Sequence, residues 1–243
     1  MIDEKDLSVE KKWYFDKLAK KVVKALKKDG MDAEFVPNRE DALTRVIELI
    51  PEKGTIGRGD SVTLHQIGII EWLKDQKEHE VFDQFILDPS DFPDNASFLK
   101  EHFNRARKAL TADVFLTGTN AITLNGQLVN IDGIGNRVAG MIFGPNRVIV
   151  VAGYNKIVKD VDEALYKIHQ YIAPINNRRH REKHGFDFIE NLPCQMNGVC
   201  TYCHTNNRSC RITTIISGWA SQVFRAPNDY PPYVIIVGEH LGI

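Results

Sequence analysis

Short runs of continuous apolar residues, many of them β-branched, recur along this chain and alternate with segments of helical periodicity. That alternation leaves few folds open. The apolar runs lie at 55–56, 81–87, 114–118, 128–131, 147–151 and 233–238, with a brief extended piece at 34–36. Between them, residues 9–29 place Tyr14, Leu18, Val22 and Leu26 at four-residue intervals among lysines and stop at Gly30, as an amphipathic helix does. Helices are likewise expected over 38–50, where Asn38 and Asp41 can cap, and over 63–77, 97–110 and 155–171. A strand that is apolar at successive positions is buried on both faces. The expectation is therefore an α/β fold, with a mostly parallel sheet covered by helices on both sides.

A chain of 243 residues that is 43% hydrophobic can bury a core without crosslinks. It reads as one domain over 1–243, in which 174–211 is a linker and a cysteine-bearing excursion. With 31 Lys and Arg against 32 Asp and Glu, it has no extended electrostatic footprint for DNA or RNA. The start lacks a signal-peptide pattern and no apolar run approaches the ~18 residues of a membrane span, so a cytoplasmic protein without membrane or nucleic-acid partners is expected. One basic run, Asn177-Arg178-Arg179-His180-Arg181 with Lys183 and His184, reads either as a solvated linker or as a grip for an anion.

All four cysteines fall in one stretch, Cys194-x5-Cys200-x2-Cys203-x6-Cys210, beside Pro193 and Gly198. Cytoplasmic thiols stay reduced, so a metal centre is favoured over a pair of disulfides or inert thiols. Structural zinc sites usually pair two short knuckles, and only Cys200 and Cys203 form one here. The wider gaps suit a loop around a [4Fe-4S] cluster, with zinc as the alternative. His204 adjoins Cys203 and reads as an ordinary loop histidine.

Two polar loops follow expected strands. In the first, Gly57, Gly59, Ser61 and Thr63 suggest a cradle for a carboxylate or phosphate, with glycines admitting backbone amides and hydroxyls adding donors. The same residues also describe a strand-to-helix turn capped by Ser61. The second contains Gly118, Asn120, an Asn125-Gly126 hairpin turn, Asn130, Asp132, Asn136 and Arg137. These polar groups either bind a small anionic metabolite beyond the strand ends or satisfy one another and tie the turns together.

The residues of Thr117-Gly118-Thr119-Asn120-Ala121-Ile122-Thr123, the run from Leu128 through Asn130-Ile131-Asp132-Gly133-Ile134-Gly135-Asn136-Arg137 to Ala139, Phe143-Gly144-Pro145 and Asn155-Lys156-Ile157-Val158 resemble the LUD-domain family of the lactate utilisation protein C type. The cysteine segment and the ending Val237-Gly238-Glu239-His240-Leu241-Gly242 are similar to its cysteine-bearing members. The resemblance implies a three-layer αβα fold of the NagB/RpiA/CoA-transferase-like type. It also implies a component of an iron–sulfur-dependent system that oxidises L-lactate to pyruvate, working with lactate utilisation A and B type subunits. Asn120 stands where related isomerases carry an acid/base carboxylate, and an amide cannot transfer a proton that way. Asn120 and Asp132 are the candidate catalytic pair, Asp132 as the replacement carboxylate. The alternative is a stand-alone enzyme or metabolite-binding module for a sugar phosphate, acyl-CoA or another small anion, with the cysteines as a structural metal site.

Overall fold

The structure is a computed structural model that describes residues 4–185, 187–204, 210–220 and 230–243. Helix α1 (Ser8–Lys28) buries Ala19, Val22 and Leu26 and turns its lysines outward, and strand β1 (Asp32–Val36) follows. The Asn38 carboxamide accepts the Asp41 N–H at 2.7 Å and starts α2 (Arg39–Leu49), which leads to β2 (Gly54–Arg58). The single helix expected over 63–77 is two, α3 (Val62–Gln66) and α4 (Ile69–Lys74), because Gly68 takes the left-handed conformation at φ 83° between them.

Strand β3 (His79–Phe82) is shorter than the expected 81–87 run. Asp83 ends it by accepting the Phe85 N–H, which bends the chain into a single 3-10 turn at Gln84–Ile86. Asp94 caps α5 (Asn95–Lys108), and β4 (Val114–Thr117) enters the core. The Asn125-Gly126 turn joins β5 (Ala121–Thr123) to β6 (Leu128–Asp132), with the Gly126 N–H donating to the Thr123 carbonyl. Helix α6 (Asn136–Ile142) and β7 (Arg147–Gly153) come next.

The expected helix over 155–171 starts late. Residues Ile157–Val158 form β8 beside β5, and Asp160 then caps α7 (Val161–Lys167). The chain passes through one π-helical turn (Ile168–Ile172) into α8 (Ala173–His184), so the stretch from Pro174 that reads as a linker is helical. A short α9 (Pro193–Asn197), β9 (Ile212–Ile216) and β10 (Tyr233–Val237) complete the described elements.

Six strands form a fully parallel sheet in the order β1-β10-β7-β4-β2-β3. Successive residues of its central strands feed opposite cores. Leu116, Ile149, Val151, Ile235 and Val237 pack with α2, α3 and α4, while Phe115, Val148, Val150, Val234 and Ile236 pack with α1 and α6. This is the three-layer α/β architecture that the apolar runs imply. A second sheet, β8-β5-β6-β9, stands beside it over a core of Ala121, Val129, Val158, Ala164 and Ile168. Strand β9 carries the chain back from the cysteine segment to pair antiparallel with β6, from Ile212 beside Asp132 to Ile216 beside Leu128.

Candidate functional site

Beyond the carboxyl ends of the parallel strands lies a cleft of about 840 Å³. This is where loops from different strands of an open α/β sheet converge on ligands. Its floor comes from the turns after β2 and β4, from Lys156 after β7 and from Gly242 after β10. Of the residues the sequence singles out, Ser61, Thr63, Gly118, Asn120, Asp132, Asn136 and Arg137 line it, and Gly57, Gly59 and Asn130 lie behind it.

The second loop is a polar network centred on Arg137. Arg137 donates through Nε to Asp132 Oδ1 at 2.8 Å, through Nη1 to Asn130 Oδ1 at 2.8 Å and through Nη2 to Asn120 Oδ1 at 3.0 Å. Asn130 Oδ1 also accepts the Thr119 hydroxyl and the Asn120 N–H, and Asn120 Oδ1 accepts the Ile131 N–H. Asp132 Oδ2 accepts the Val138 N–H, which anchors the first turn of α6. These side chains tie three turns together, so Asp132 is a paired carboxylate and Asn120 a brace.

In the first loop Ser61 caps α3 by accepting the Leu64 N–H at 3.4 Å. Gly57 faces the protein interior, because a methyl group there would sit 2.7 Å from the Ala109 Cβ. Gly59 packs beneath Arg137, where a methyl would stand 3.1 Å from its Cγ. On Gly242, a methyl would stand 2.6 Å from Thr63 Oγ1 and 3.3 Å from Lys156 Nζ, so a hydroxyl and an amine converge at that glycine.

Lys156 is the site residue that the sequence hides. It is 4% exposed, and its Nζ donates to the main-chain oxygen of Ile243. Burial, together with the charges of Lys167 and Arg137, pushes its pKa down to about 7. Helix α8 adds Arg179, His180 and Lys183 to the cleft wall, so the basic run is part of the site and not a solvated linker. Asp60 accepts a hydrogen bond from Arg179 at 2.6 Å and lies 3.5 Å from Lys183. Burial works to raise the pKa of Asp60, but the Arg179 hydrogen bond and the charges of Arg179, Lys183 and His180 outweigh it and hold the value at about 2. The cleft lining thus carries five Lys and Arg against two Asp, both already paired.

The opposite wall is aromatic. Behind it, Arg58 and Asp83 form an ion pair at 2.5 Å with both side chains almost fully buried, and the Arg58 guanidinium lies 4.8 Å from the Phe85 ring centroid. That pair fixes the 3-10 turn carrying Phe85.

The four cysteines form no disulfide with one another and are partly exposed, and α9, which carries Cys194, packs against α8. Asn177 and Gln195 donate to Cys194 Sγ, each at 3.7 Å. Cys200 Sγ accepts the Tyr202 N–H at 3.4 Å and lies 3.8 Å from His169 Nδ1. Yet no group of three or more Cys, His, Asp or Glu side chains converges to hold a metal ion among the described residues, which omit 205–209. Cys194 adjoins the cleft through Asn177, which lines it, and Arg211, next to Cys210, lines it as well.

The family model described as LUD domain matches residues 19–222. Among solved structures the chain is similar to a DUF162 family protein from Deinococcus radiodurans, at 16% identity and TM-score 0.46, over 92% of this chain and 98% of that one. It is also similar to eIF2B delta from Chaetomium thermophilum, at 16% identity and TM-score 0.34, over 62% of this chain and 54% of that one. No curated protein matches. No helix among the described residues is long and apolar enough to cross a membrane.

Proposed function

The chain belongs to the LUD domain family, and on that premise we propose that it binds a small organic acid in the cleft as a component of a system that oxidises L-lactate to pyruvate. The observation that carries this reading is the excess of cations over carboxylates at the ends of the parallel strands. A ligand carboxylate is a natural partner for the Lys156 amine, with Thr63 offering a hydroxyl beside it.

With a pKa near 7, Lys156 can take up or release a proton at physiological pH, and it replaces Asn120 and Asp132 as the candidate acid/base group. Asp132 is held as the partner of Arg137, and Asn120 braces the loop that positions both. On the chemistry of their side chains alone, Cys194, Cys200, Cys203 and Cys210 are proposed as ligands of a [4Fe-4S] cluster, with zinc the competing occupant. Lactate utilisation A and B type subunits are the proposed partners.

Titration calorimetry tests the cleft. L-lactate and pyruvate are expected to bind and to lose at least roughly tenfold in affinity in Lys156→Met, as the loss of a charge-assisted hydrogen bond implies. Binding of sugar phosphates with no response to either acid would overturn the reading. Iron and sulfide analysis of anaerobically isolated protein tests the cysteines, and a colourless protein with stoichiometric zinc rejects the cluster.

A further inference from the structure

The cleft is larger than a three-carbon acid needs. At about 840 Å³ it falls near the top of the ~300–1,000 Å³ range of sites that enclose drug-sized ligands. Its cations gather at one end, and its other end is built of rings. His102 packs against Phe85, Phe98 and Phe103 with centroid separations of 6.0, 5.8 and 5.5 Å. The two ends adjoin, because Lys183 Nζ lies 4.9 Å from the Phe85 centroid. The apolar wall is uncovered, with Leu99 at 41% and Phe103 at 38% exposure.

A second, independent feature points to a ligand at this end. Gln84 is 2% exposed and lines the cleft, yet its Oε1 has no hydrogen-bond partner among the described residues, and His102 Nδ1 has none either. Buried polar atoms without partners are uncommon, and an unmade bond there costs more than a made one gains. A ligand group carrying an O–H or N–H would supply what Gln84 lacks.

We propose that the cleft takes 2-hydroxy or 2-oxo acids bearing an aromatic ring at C3, with the carboxylate at the Lys156–Thr63 end and the ring against Phe98 and His102. The inference rests on the reading of the cleft as an organic-acid site and specifies its substrate class. A hydroxyl or N–H on the ring reaches Gln84. No bond is made or broken in this step, which is recognition alone.

The test is titration calorimetry on the full chain with L-lactate, 3-phenyllactate and 3-(4-hydroxyphenyl)lactate. Phenyllactate is expected to bind at least roughly tenfold more tightly than lactate, from the apolar area its ring buries, with the hydroxylated acid tightest of the three. Phe98→Ala is expected to narrow the gap between phenyllactate and lactate. Lactate binding with no preference for the aryl acids in the wild-type protein overturns this proposal alone. Binding of none of the three overturns both this proposal and the organic-acid reading beneath it.

Discussion

Arg137 and Lys156 are both cations in the cleft wall, and their surroundings give them opposite roles. Arg137 is surrounded by acceptors, and removing it leaves Asp132, 8% exposed, as a carboxylate without its partner. Arg137→Met is therefore expected to cost about 3–5 kcal/mol in chemical denaturation. Asp132→Asn in the same background should recover part of that loss, because it removes the stranded charge. Lys156 shifts stability with pH instead. Its folded pKa of about 7 lies below the ordinary lysine value of 10.5, so between these limits the unfolded chain binds more protons and stability rises with pH. The penalty is present in full below about 7 and gone above about 10.5, and it amounts to roughly 5 kcal/mol at most. Lys156→Met is expected to raise the melting temperature at pH 6 and to leave it nearly unchanged at pH 10.5. An equal effect at both pH values would remove the buried-amine argument. Sequence displays Lys156 only as one basic residue after an apolar run, since its burial comes from strands and loops distant along the chain.

At the scale of elements, sequence reads best where a local rule decides. Helix α1, the Asn38 cap and the Asn125-Gly126 turn form as their residues dictate, although α1 buries Ala19, Val22 and Leu26 and leaves Tyr14, the first residue of the expected stripe, exposed. Helix α8 escaped that reading because it is polar on nearly every side. Such a helix has no apolar stripe to betray it, and it holds through Arg179 and Lys183 to Asp60 and through Asn177 against Cys194. Gly57 shows the converse, a residue visible in sequence whose role is set elsewhere. It allows β2 to approach the 3-10 turn at Ala109–Thr111, where an added methyl would lie 2.8 Å from the Ala109 Cα. Gly57→Ala is expected to lower stability by about 1–3 kcal/mol in thermal unfolding, while the folded fraction keeps its affinity for organic acids. A loss of affinity without a loss of stability would return Gly57 to the anion cradle.

At the scale of the whole molecule, the parallel sheet and the position of the cleft were both legible, because continuous apolar strands demand two covered faces and parallel strands place their loops at one end. The pairing of β9 with β6 was not, since it depends on how the cysteine segment returns to the body of the fold. The sheet order also governs how the chain can be made. Among the described residues strand β1 pairs with β10 alone, which reaches it from about 200 residues downstream, a separation that makes for slow, non-local closure. A nascent chain emerging from the ribosome therefore carries β1 without this strand partner until β10 has been made. During that interval β1 offers an open edge to any other strand, and a chaperone that shields the amino-terminal segment would act there first. Ribosome-stalled chains ending before residue 233 are expected to leave residues 8–36 open to protease, and chains extended past 237 to protect them.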